Sequence, residues 1–286
     1  MASATETTIA DANTSSDHPF PEAPAPWQCK GETFWFYTYV SPTKDKPYPS
    51  KSEFNDIEGT SAFADPKVTG EFEGGLAFVM IVRYTETPVG PYDEIIWSPG
   101  KFKVPPTGKS ALRITRIYVS GKETTYNGRK NWNIPKQLAH FEFTPNPEAK
   151  GPSALPYTRI SVSPVDDTSK PFFVVNLKPT LFLSNAHIPF NTKYLPLDLT
   201  ITHPPLPEDP NWKESAQVGT DRWWSLLFGM TGKAGLLWGE GGLEGGKFGN
   251  DVGFPDVRLI KLGMWLRDFR LSFPIGEEPG AKKKKD

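Results

Sequence analysis

Proline and glycine interrupt this chain so often, 30 and 25 times in 286 residues, that a long helix has nowhere to run. What lies between the interruptions is short, aromatic and β-branched. Glu32 to Val40, Leu76 to Glu86, Asp93 to Pro99 and Leu112 to Ser120 read as strands, as do Ala139 to Pro145, Tyr157 to Ser163 and Phe172 to Lys178. Tyr194 to Thr202 and Leu266 to Pro274 are weaker examples of the same pattern. Alternation is clearest where Ala139, Phe141 and Phe143 share one face and His140 and Glu142 the other. Short strands at this spacing predict a mainly β (α+β) fold. We expect an antiparallel, barrel- or cone-like sheet around a central cavity, with a few short helices.

Two segments read as helices. Lys122 to Trp132 has Ser120 to cap it and Pro135 to stop it; Thr220 to Gly232 has Thr220 or Asp221 at its start. The run Pro204 to Pro210 reads as an extended surface connector. No internal repeat or separating linker appears, so one domain is expected over 27–275. A disordered tail is expected over 1–26 and a basic tail over 276–286, with mobility up to about His18 and beyond Gly280.

Composition narrows the functional classes. Lys plus Arg (32) nearly cancel Asp plus Glu (33), which gives no electrostatic reason for a nucleic-acid partner. The longest apolar run, Gly75 to Val82, is too short to span a bilayer, and the first residues lack the apolar stretch of a secretory signal. With one cysteine, Cys29, no intrachain disulfide can form. A cytoplasmic protein with no membrane partner is the expectation. The 9 Trp, 9 Tyr and 19 Phe supply a core that the 37% hydrophobic content alone understates.

Few motifs carry chemistry. His140, His187 and His203 have no metal-ligand spacing, so no metal is expected. The glycine-rich segment Gly239 to Gly249 places Gly241, Gly246 and Lys247 at phosphate-loop spacing. Phe248 then stands where a hydroxyl is needed, and two glutamates would repel phosphate; a flexible loop or lid is the reading. Glu94 enters an otherwise apolar strand beside Tyr92, where a carboxylate needs a partner. Lys136 follows Pro135 at the mouth of a strand. Pointing inward it would lose hydration, which favours the neutral amine that attacks a carbonyl. A solvated lysine at a strand start is the ordinary alternative.

The segment GRKNWNIPKQLA resembles the active-site segment of the acetoacetate decarboxylase family, matching at Gly128, Arg129, Pro135, Lys136 and Leu138. Upstream, GPYDEIIWSPGKF resembles the family's Tyr-x-Glu strand, and the two segments keep their order and separation. The resemblance spans roughly Trp27 to Phe143. It implies a lyase of a keto acid or larger carbonyl metabolite, with Lys136 as the Schiff-base lysine and Glu94 as the pocket carboxylate. It implies no cofactor, a small-molecule carbonyl partner and assembly into a homo-oligomer of unspecified size. Tyr92, Trp132 and Ile134 would wall the site. Gln137 stands where the family carries a second lysine, and Lys30 is the rough counterpart of a family arginine before the first strand; both are candidate substrate contacts. A non-imine isomerase or cyclase of a bulky metabolite, and a non-catalytic carrier of an apolar ligand, are the other readings.

Overall fold

The strands alternate so regularly because most of them lie side by side in one 15-stranded sheet. The computed structural model describes residues 19–180 and 186–281. β1 (Trp27–Val40) is followed by two single-turn helices, α1 (Asp56–Gly59) and α2 (Pro66–Thr69). Then come β2 (Phe72–Glu86), β3 (Tyr92–Ser98), β4 (Lys101–Val104), β5 (Lys109–Leu112) and β6 (Arg116–Val119). The longest helix, α3 (Lys122–Trp132), leads into β7 (Lys136–Leu138), β8 (His140–Pro145), β9 (Tyr157–Ser163) and β10 (Phe173–Pro179). β11 (Ile188–Asn191), β12 (Ile201–His203) and the short α4 (Trp212–Ser215) precede β13 (Trp224–Leu226), β14 (Gly229–Gly241) and β15 (Leu262–Phe273).

The main path runs β13-β12-β5-β4-β2-β1-β15-β14-β10-β9-β8, with β3, β6 and β7 branching from β2. The sheet is mostly antiparallel and is not closed. Two pairs are parallel, β5 with β12 and β6 with β7. The second pair is a β-α-β unit: parallel neighbours cannot be joined by a hairpin, and α3 supplies the crossover. That unit places Lys136 opposite Ile117.

The run from Gly75 to Val82 is continuous rather than alternating because β2 is covered on both sides. Ala77, Val79 and Ile81 join one core with Phe34, Phe36, Ile95 and Trp97. Phe78, Met80, Val82 and Tyr84 join the other with Trp27, Trp35, Tyr92 and Ile117. Near its start β1 passes so close to β2 that a Cβ on Gly31 would sit 2.1 Å from the Arg83 carbonyl oxygen, and the β1–β2 register shifts at this point.

Several expectations need correction. Thr220 to Gly232 is not helical. Trp224–Leu226 pairs with β12, Ser225 forms a backbone bridge with Glu277, and Gly229 already pairs with Ser272 of β15. Long-range pairing overrides a local helical pattern here. Leu112 to Ser120 is two strands. The chain breaks at Arg113–Thr115 to pass from the partners of β5 to those of β6. Buried Arg113 holds that break, donating to the Thr69 hydroxyl and carbonyl at 3.2 and 2.6 Å and lying 4.3 Å from the Phe102 ring centre. Of Tyr194 to Thr202, only the end is strand.

The glycine-rich segment is no free lid. It begins inside β14, and its remainder is pinned to β10 by bonds between Val174 and both Phe248 and Gly242. Helix α3 spans the expected residues, but Gly121 caps it without a side-chain bond, and Asn133 in a left-handed conformation ends it before Pro135. The N-terminal tail boundary also moves. Ala23 donates its amide to Asn127 at 2.7 Å and Phe20 is buried against Tyr126, so 19–26 packs on α3. At the other end Glu277 pairs with Ser225. The mobility expected up to His18 falls outside the described residues, as does nearly all of that expected after Gly280.

Candidate active site

Strand alternation puts Tyr92, Glu94 and Ile96 on one face of β3, and β2 sets Tyr84 opposite Tyr92. β6 lies on the other side of β3, and β7 beside it brings Lys136 onto the same face. Lys136 Nζ lies 2.8 Å from Glu94 Oε2, and both side chains are buried, 5% and 3% exposed. Nζ also donates to the Thr124 hydroxyl at 2.8 Å and to the Tyr92 hydroxyl at 3.2 Å. The three acceptors match the three N–H bonds of an ammonium. The second Glu94 oxygen accepts from the Tyr84 hydroxyl at 3.2 Å.

α3 shapes the lysine's path. Thr124 and Gly128, four residues apart, share a helix face. Thr124 offers its hydroxyl; Gly128 offers bare backbone, over which the Lys136 stem runs. A Cβ at Gly128 would meet Lys136 Cδ at 2.7 Å and Cε at 2.8 Å. A mid-helix glycine costs about 1 kcal/mol against alanine, and passage of the lysine is what requires it here. The backbone at Lys136 is held from two sides. Asn55 accepts from the Ile117 amide at 3.1 Å and donates to the Pro135 carbonyl. Fully buried Arg129 pairs with Glu58 at 2.8 Å, donates to the Val218 and Pro207 carbonyls, and reaches the Lys136 carbonyl at 3.4 Å. Arg129 thus acts as a strut under the site.

The remaining wall is apolar: Ile96, Ile114, Ile117, Ile134, Phe228 and Met230 contribute to a cavity of about 30 Å³ at the lysine. Burial, with the Glu94 charge adding to it, pushes the Tyr84 and Tyr92 phenols well above their ordinary range, so both are hydrogen-bond donors. Cys29 lies close to the pair. Burial and Glu94 outweigh the opposing effect of Lys136, pushing its thiol up to about 12, so it is no nucleophile. Among the described residues no group of three or more His, Cys, Asp or Glu could hold a metal ion, and no helix is long and apolar enough to cross a membrane.

Behind Ile114, His203 is fully buried and its Nε2 accepts the Ile114 amide at 3.2 Å. Burial, reinforced by the Arg113 charge, lowers its pKa to about 3, against 6.5 when free. A group depressed on folding contributes stability above its free pKa and loses it as pH falls towards the folded value. Stability owed to His203 should therefore decline from about pH 6.5 downward, at roughly 1.4 kcal/mol per pH unit for one proton. Asp93, raised to about 6 chiefly by burial, works the other way over part of that range. Urea midpoints of the wild type and His203→Gln between pH 7 and 5 isolate the histidine: the variant should show the shallower acid decline. Equal slopes would refute the assignment.

Of the residues singled out in the sequence, Lys136, Glu94 and Tyr92 come together and Ile134 lines the same cavity. Trp132 stands one layer back: its indole donates to the Pro274 carbonyl at 2.7 Å, and its ring lies 5.2 Å from Phe273, which does line the cavity. Gln137 alternates to the opposite face of β7, where its side chain bonds the Tyr118 hydroxyl, so it does not flank the lysine. Lys30 is likewise turned outward, paired with Glu86 at 2.7 Å, while its neighbour Cys29 is the inward residue. Tyr84 and Thr124 were missed. A signal for each existed: Tyr84 shares parity with the cavity-facing residues of β2, and Thr124 precedes an otherwise unexplained helical glycine by four.

No family model matches the chain, and no curated protein matches it by sequence. Solved structures do match in shape. The enduracididine biosynthesis enzyme MppR, complexed with the condensation product of pyruvate and imidazole 4-carboxaldehyde, is similar at TM-score 0.57 and 13% identity, over 97% of this chain and 98% of that one. Acetoacetate decarboxylase from Legionella pneumophila is similar at TM-score 0.52 and 12% identity, over 97% and 98%. An acetoacetate decarboxylase-like enzyme from Sphingomonas wittichii RW1 is similar at TM-score 0.51 and 12% identity, over 90% and 93%.

Proposed function

We propose that this chain, which has the acetoacetate decarboxylase-like fold, is an enzyme that forms a Schiff base between Lys136 and a carbonyl substrate and then makes or breaks a carbon–carbon bond. The observation that carries the reading is the 2.8 Å contact of Lys136 Nζ with Glu94 inside an apolar chamber. Glu94 is placed to take a proton from Nζ, leaving an amine whose lone pair attacks the substrate carbonyl. The same proton, returned to the carbinolamine oxygen, lets water leave and an iminium form. The iminium draws the electrons of the bond being broken, and the other fragment departs as carbon dioxide from a keto acid, or as a second carbonyl compound from an aldol whose hydroxyl proton passes to Glu94. The resulting enamine carbon takes a proton back, and water releases the product. Tyr84 and Tyr92 are within reach as neutral donors.

A second reading draws on the complete set of three acceptors around Nζ. Lys136 would then act as a fixed acid in a non-imine isomerase or cyclase. Treatment with a ketone and cyanoborohydride separates the two. The Schiff-base reading expects a mass increase confined to the Lys136 peptide. A protein that turns over its substrate but never takes up the label would leave the acid role in its place.

A further inference from the structure

We infer that the compound Lys136 receives is a neutral carbonyl compound with an extended apolar body, which lies in a second cavity adjoining the lysine chamber. The inference rests on the reading of Lys136 as the carbonyl-binding amine. The chamber at Lys136, about 30 Å³, has room for a small head group only. Next to it lies a cavity of about 320 Å³, and Phe78, Met80 and Phe228 line both. The larger space falls within the range that holds a drug-sized ligand.

One face of β2 floors the two spaces in sequence. Leu76, Phe78 and Met80 belong to the larger cavity, and Phe78, Met80 and Tyr84 to the smaller. Those positions share parity, so they lie on one face of the strand, which spans about 26 Å from Leu76 to Tyr84. Trp35, Phe190, Leu199 and Met264 close the far side. An aromatic and aliphatic wall of this extent gains little from a two- or three-carbon acid.

Charge gives the same answer. Among the described residues lining the chamber, the charged groups are Glu94 and Lys136, already paired with each other. The larger cavity adds one charge of each sign, Lys101 and Asp198. A substrate carboxylate at the lysine would bring a third charge into an apolar chamber whose own cation is already paired with Glu94, while Lys101 lines only the larger cavity. Lys30 faces outward and is paired with Glu86.

The test uses the whole protein, cyanoborohydride and a series of 2-alkanones from butanone to 2-undecanone, with labelling of Lys136 read by mass spectrometry at subsaturating ketone. Labelling efficiency should rise about fourfold per added methylene until the cavity is filled. Pyruvate and acetoacetate should label no better than butanone. Leu195→Trp, at a partly buried loop position on the rim of the larger cavity, should flatten the chain-length dependence. Efficiency that falls with chain length, or is highest for the keto acids, overturns the inference while leaving the Schiff base intact. Binding of 2-undecanol by calorimetry provides the independent arm. If the alcohol binds, and Leu195→Trp weakens it, while no ketone labels Lys136, the apolar site stands and the Schiff base falls. Absence of both binding and labelling refutes both.

Discussion

Replacing Lys136 with methionine is expected to abolish cyanoborohydride labelling and to lower turnover by at least about 10⁴-fold, because among the described residues lining the chamber Lys136 is the one amine. Methionine keeps most of the stem that lies over Gly128, so packing there is largely preserved. The loss should nonetheless register in stability. Glu94 is left buried with the Tyr84 hydroxyl as its remaining partner. Removing one member of a buried ion pair costs about 3–5 kcal/mol. Adding Glu94→Gln removes the stranded charge, so the double variant should recover much of that stability and none of the activity. Urea unfolding and turnover, measured on both variants, give the two readouts. Full activity in Lys136→Met would end the covalent and the acid roles at once.

Gly128→Ala is expected to separate stability from activity in the opposite sense. Alanine in a helix interior is favoured over glycine by about 1 kcal/mol, so α3 itself should be no less stable. The new methyl, however, would stand 2.7 Å from Lys136 Cδ and 2.8 Å from Cε, closer than carbon atoms tolerate. The lysine stem is flexible and will yield, carrying Nζ away from Glu94 and Thr124. A displacement on the order of 1 Å at a reacting atom costs roughly 10²-fold in rate. Labelling rate at Lys136 and the urea midpoint should therefore diverge: the first falls about a hundredfold, while the second, with the helix gain offsetting part of the loosened Lys136–Glu94 contact, falls by much less than in Lys136→Met. A variant that labels at the wild-type rate would show that the glycine serves something other than the lysine.

The parts of this protein that could be read locally were those whose cause is local. Proline and glycine spacing and β-branched runs predicted most strands, and helix α3 emerged with its bounds intact because its stretch lacks interior proline and ends before one. The Lys136 and Glu94 segments were visible because each combines a charged residue with an apolar strand. Thr220 to Gly232 went wrong because the pattern of one segment says nothing about a partner strand supplied by residues 262–273. The fates of Gln137 and Lys30 depended on parity, since a one-residue change of face turns Gln137 onto Tyr118 and Lys30 out to solvent, away from the lysine chamber.

What the sequence by itself determined was therefore the fold class, the position of α3 and the two residues whose chemistry stands out. The family resemblance implied that those two share a pocket; the tertiary structure alone decided their 2.8 Å contact, that Tyr84 and Thr124 complete their shell, and that a larger apolar cavity adjoins them. The physical reason is that periodicity is a property of neighbouring residues, whereas the site joins β2, β3, α3 and β7 through strand register and a helix crossover. Those depend on contacts between separate segments, from Tyr84 and Glu94, 10 residues apart in the chain, to Tyr92 and Lys136, 44 apart.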